Sequence, residues 1–140
     1  MSVAFQKILV PVAGTTADEE TLKLACVLAR PNKAKVRVIY VIILNRSLPI
    51  DAEIESEIKK GEEILSRMEK LAAEIDYEIE TDLLQAREVG PSIIDEAADY
   101  DIDLIVMGIK YKQRLGQFNL GNVVPYVLKN AHCKVILYQQ

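Results

Sequence analysis

Residues 7–16, "KILVPVAGTT", decide the fold. The five residues after Lys7 have no polar member, which marks a strand buried on both faces, since a strand with one wet face would alternate apolar and polar. Ala13, Gly14 and Thr15 then make a turn. Thr16 and Glu19 have the spacing of a capping box, in which the hydroxyl accepts an amide hydrogen bond and the carboxylate reaches back. A helix starts there, with Leu22, Ala25, Cys26 and Ala29 at helical spacing, and Pro31 ends it because proline cannot continue the turn. A buried strand followed at once by a helix opens a parallel α/β sheet.

The same alternation runs to the C-terminus. "KVRVIYVIIL" (35–44) is a second apolar strand, and "AEIESEIKKGEEILSRMEKLAAEI" (52–75) is a long amphipathic helix with Ile54, Ile58, Leu65, Met68, Ala72 and Ile75 on one stripe. Gly61 falls on or near that stripe at a cost of roughly 1 kcal/mol against Ala, which points to close packing of helix on sheet. "YEIETDLLQA" (77–86) carries the charge of an exposed edge strand. In "GPSIIDEAADY" (90–100), Pro91 suits a first helical position and Ile93, Ile94, Ala97 and Ala98 form the inner face. "DLIVMG" (103–108), "NVVPYVLKNA" (122–131) and "KVILYQ" (134–139) supply a buried strand, a helix with Pro125 in its first turn, and a last strand.

Strand and helix in this order predict an α/β protein: a single doubly wound five-stranded parallel sheet, order 3-2-1-4-5, with helices on both faces. Such a sheet opens a crevice between strands 1 and 4, beyond their C-terminal ends, where "VAGTT" (12–16) and "MGIKYK" (107–112) meet. Strand 5 is apolar yet falls at an edge, so something should cover it. A symmetric homodimer through that strand is the economical cover.

Composition narrows the function. A chain of 140 residues, half of them apolar, makes one domain. A net charge of −4 excludes the broad basic surface that nucleic-acid binding needs; only Lys110, Lys112 and Arg114 form a basic loop. No apolar run reaches membrane-span length, and "ILVPV" is followed by Gly and Thr rather than a cleavage region, so a soluble, cytoplasmic protein is expected. Cys26 and Cys133 sit among apolar neighbours as small core residues, and His132 is the only histidine, better suited to a helix C-terminus than to a triad or metal site. Most carboxylates fall on the solvent faces of the first two helices, Asp101 and Asp103 read as turn residues at the far end of the sheet, and Thr15 and Thr16 reach the crevice without a base. No catalytic set emerges.

Three segments, "KILVPVAGT" (7–15), "DLIVMG" (103–108) and "GNVVPYVLKNAHCKVILY" (121–138), together make the chain resemble a universal stress protein domain over residues 1–140. The resemblance implies an adenine nucleotide alpha hydrolase-like fold. Nucleotide-binding members of that family carry a Gly, two residues, a Gly, nine residues, then Gly with Ser or Thr, and an Asp directly after the "VPV" of strand 1. Carried over, the pattern gives Val12, Ala13, Val41, Gly108, Gly121, Asn122 and Val123 as nucleotide-contacting positions, with Lys110, Lys112 and Arg114 assisting at the phosphates.

Gly108 and Gly121 keep the spacing, but Tyr111 stands at the second glycine, Asn122 at the Ser/Thr and Ala13 at the Asp. Ala13 has no polar side-chain atom; losing one charged hydrogen bond costs about 1.5–3 kcal/mol, or about tenfold to a hundredfold in affinity. Tyr111 adds a Cβ where positive φ and close backbone approach are used. Asn122 is the mildest change, because Asn caps helices as well as Ser. The resemblance implies a small stress-associated regulatory or interaction protein with a degenerate ATP-binding motif, requiring no cofactor and holding ATP or AMP with Mg²⁺ only weakly. Its partners would be a second copy and another protein, with no nucleic acid and no membrane insertion. The alternative is an ATP- or AMP-binding member acting as a nucleotide-dependent switch. A third reading, a flavodoxin-like electron carrier with "AGTTADEET" (13–21) as an FMN loop, has few aromatic rings to enclose a flavin.

Overall fold

The computed structural model describes residues 4–109 and 122–139. Its elements are β1 (Lys7–Val12), α1 (Ala17–Ala29), β2 (Lys35–Ile43), α2 (Glu55–Glu74), β3 (Glu80–Ala86), α3 (Val89–Asp99), β4 (Leu104–Ile109), α4 (Val123–Asn130) and β5 (Lys134–Gln139). The strands form one sheet in the order β3-β2-β1-β4-β5, and every pairing is parallel. This is the order predicted from the alternation of strand and helix. Among the described residues no helix is long and apolar enough to cross a membrane.

Side chains that alternate along each strand serve two separate cores, which is why the strands read as continuous apolar runs. Ile8, Val10 and Val12 of β1 join Val36, Val38 and Ile42 of β2 beneath α1 and α2. Leu9, Ile39, Val41, Ile105 and Met107 point the other way, toward Ile93 of α3 and Val124 and Val127 of α4. Cys26 lies in the first core, where burial pushes its thiol up to about 11; Cys133 is half-buried at the foot of the second. Gly61 is where α2 comes closest to the sheet: a Cβ there would run into Leu83 and lie 3.1 Å from the Tyr40 ring. Asp103 does more than turn the chain, since its carboxylate accepts hydrogen bonds from the Gln6 and Lys7 amides at 2.8 and 3.1 Å and so fastens the start of β1 to that of β4.

Arg37 interrupts the apolar run of β2, and the tertiary structure explains it. Its guanidinium reaches Glu96 of α3 at 2.8 Å, Asp82 of β3 at 2.7 Å and Glu80 of β3 at 3.2 Å, and it stacks 3.6 Å from the centre of the Tyr100 ring. Glu96 is buried, so this cation is what makes a carboxylate tolerable on the inner side of α3. The exposed pairs with Glu80 and Asp82 add little; the buried one decides. Replacing Arg37 by Met should cost about 3 kcal/mol in urea denaturation by stranding Glu96. The Arg37→Met, Glu96→Gln double variant should recover much of that loss.

Candidate functional site

The ladders show where the sheet opens. β1 runs alongside β2 from Lys7↔Lys35 to Val12↔Tyr40, whereas its pairing with β4 comprises Ile8↔Leu104 and Leu9↔Ile105. β4 continues with β5 to Ile109↔Gln139. Beyond Leu9, therefore, β1 stays with β2 and β4 stays with β5, and the two halves part at the point where the direction of winding reverses. Val12 is buried at the end of β1, Ala13 is exposed just beyond it, and Val41 faces the α3–α4 side near the end of β2.

The loop that leaves β1 is organised by Asp18. Its Oδ1 accepts the Ala13 amide at 3.1 Å, and its Oδ2 accepts those of Gly14 and Thr15 at 2.7 and 3.1 Å. Gly14 turns the chain at φ 78°, and Asp18 is 6% exposed. Burial pushes its carboxyl above the usual range, against the opposing pull of these three amides and of Arg67. The capping box expected at Thr16 and Glu19 does not form. Thr16 has a helical backbone and makes no side-chain cap bond, while Glu19 turns outward to Lys23 at 3.3 Å and Arg67 at 3.6 Å. Nor does Asp18 lie on the solvent face where the sequence reading put the helix carboxylates.

Gly108 has a packing role that spacing alone does not reveal. A Cβ there would run into the Thr21 hydroxyl and lie 3.3 Å from the Ala17 Cβ, so the missing side chain is what lets the first turn of α1 lie against the end of β4. Thr21 is itself fixed, donating its hydroxyl to the Ala17 carbonyl at 2.7 Å.

On the opposite face, α4 begins at Val123 behind Asn122, whose backbone is helical and whose side chain makes no cap bond. These two residues line a cavity of about 460 Å³ with Ile43, Arg87, Glu88, Gly90, Pro91 and Tyr126. Its size and largely apolar wall suit a small organic ligand. Val12, Ala13, Val41, Gly108, Asn122 and Val123 fall at or beside the C-terminal ends of the strands. Lys110, Lys112, Arg114, Gly121 and Tyr111 lie outside the described residues. Among the described residues no group of His, Cys, Asp and Glu is arranged to hold a metal ion.

The family model that matches, over residues 4–139, is that of the universal stress protein family. The chain belongs to this family. A universal stress protein of Methanocaldococcus jannaschii, MJ0531, is 33% identical over 142 residues, covering 97% of this chain and 83% of that one. A solved universal stress protein from Archaeoglobus fulgidus superposes with a TM-score of 0.80 at 25% identity, covering 94% of this chain and 97% of the other. The universal stress protein from Archaeoglobus fulgidus solved in complex with dAMP gives a TM-score of 0.76 at 24% identity, covering 96% and 98%.

If Gly108 is needed chiefly for packing, Gly108→Ala should lower stability by about 1–3 kcal/mol in denaturant titrations with no ligand present. Adding Thr21→Ala should restore part of that. A Gly108→Ala chain as stable as the natural one would contradict this role.

Proposed function

We propose that this universal stress protein keeps its family's crevice in shape but grips adenine nucleotides weakly, and that it acts as a small regulatory or interaction protein. The observation that carries the reading is the end of β1. Ala13 offers no side-chain acceptor there, and its amide is taken by Asp18. What remains is a largely apolar cavity bounded by the start of α4, whose N-terminal dipole favours a phosphate. The dAMP held by the Archaeoglobus fulgidus relative supports an adenine nucleotide as the ligand class. AMP, or ATP with Mg²⁺, would lie with its adenosine part toward Val12, Ala13 and Val41 and its phosphates toward Gly121, Asn122 and Val123, assisted by Lys110, Lys112 and Arg114.

β5 is the second half of the reading. It closes the sheet at an edge, and Val135, Ile136 and Leu137 stay half-buried although one side of the strand has no strand partner among the described residues. A homodimer through β5 would cover that edge with a single self-complementary surface, in a protein working in the cytoplasm with a protein partner. The chain should sediment at twice its own mass.

The switch reading is favoured by the same dAMP complex and separates from ours by affinity. In calorimetric titrations with AMP, Ala13→Asp should bind about tenfold to a hundredfold more tightly than the natural chain. A natural chain that binds as tightly as the variant would replace our reading with the nucleotide-dependent switch.

A further inference from the structure

Three successive amides that converge on one point, with a left-handed glycine among them, make the kind of concave donor cluster that binds phosphate in many proteins. In the loop after β1 that cluster is already filled. Both oxygens of Asp18 accept, from Ala13, Gly14 and Thr15 at 3.1, 2.7 and 3.1 Å, and the residue is 94% buried beneath the loop, being 6% exposed. The loop is held from the α2 side as well, where the Ile64 side chain packs so closely on Gly14 that a Cβ would lie 2.9 Å from it. We propose that Asp18 is a built-in anion that seals this cluster. It is a positioning residue that fixes the shape of the Ala13–Thr15 loop and refuses a ligand's phosphate at the β1 end of the crevice.

The chemistry has two parts. With all three donors spent, a phosphate arriving at the loop would find a negative carboxylate instead of amides and be repelled. The start of α4, by contrast, has no acidic residue in its first turn. The inference rests on the nucleotide reading above only for its consequence: the loop presents its carbon and carbonyl surface to the uncharged part of the ligand, and anionic groups are left to the α4 side. The sealed cluster itself stands on the hydrogen bonds alone.

The test replaces the carboxylate and then gives one back. Asp18→Ala should melt well below the natural chain in sodium chloride and regain most of the loss in sodium formate of equal ionic strength, because formate carries the same two acceptor oxygens. The natural chain should show no formate-specific shift. A folded Asp18→Ala that gains nothing from formate, or a natural chain that gains as much, would overturn the proposal.

AMP titrations read the consequence. The natural chain should bind, and Asp18→Ala, its three donors freed, should bind about tenfold more tightly in chloride, where the AMP phosphate can take the carboxylate's place, and lose that gain in formate. Equal or weaker affinity in chloride would overturn the refusal of phosphate. No AMP binding by the natural chain would remove the nucleotide reading and leave the formate result to decide the cluster. Should Asp18→Ala fail to fold, Asp18→Asn takes its place, with one acceptor oxygen kept and an NH2 set against the amide donors. It should melt lower than the natural chain, and unchanged melting would count against the proposal.

Discussion

β1 is held along both edges at its start and along only one at its end, and the rest of the molecule follows from that. At the start, the Asp103 carboxylate gathers the Gln6 and Lys7 amides and locks β1 to β4. After Leu9 the pairing with β4 stops while that with β2 continues to Val12. The gap so created is where a doubly wound sheet binds its ligands, because the crossovers leave to opposite faces there.

The loop that leaves β1 at this gap turns three amides onto one point, where they call for an acceptor. An acceptor can come from a ligand or from the chain. Here it comes from the chain, through Asp18. The Asp18 carboxylate thus shapes the backbone at the β1 end of the crevice. On the other side of the gap, Gly108 is kept by the packing of Ala17 and Thr21, so a glycine that looks like part of a phosphate loop has a steric reason to be there.

The fold was legible because strands buried on both faces leave an unmistakable record: β1, β2, β4 and β5 were placed to within a residue or so, and the charged β3 fell at the edge as read. The place where the winding reverses, between β1 and β4, followed from topology. Asp18 was not legible, because helical spacing alone does not separate it from the other carboxylates of the first helix, most of which face solvent. Side chains at the start of a helix lean back toward its N-terminus, so Asp18 reaches over the preceding loop instead. A carboxylate in a first turn just after a Gly-Thr turn was the available signal. Arg37 was hidden for a different reason: its partners Glu80, Asp82 and Glu96 come from later in the chain, and only the assembled sheet brings them to it.

The most direct test of a crevice sealed on the β1 side is a ¹H–¹⁵N NMR titration of the natural chain with AMP. Saturable shifts at the amides of Val41, Asn122 and Val123, with Gly14 and Thr15 keeping the positions they hold without ligand, are the predicted result. Shifts largest at Gly14 and Thr15 would show that the ligand's phosphate displaces Asp18 from the loop, and would contradict the account.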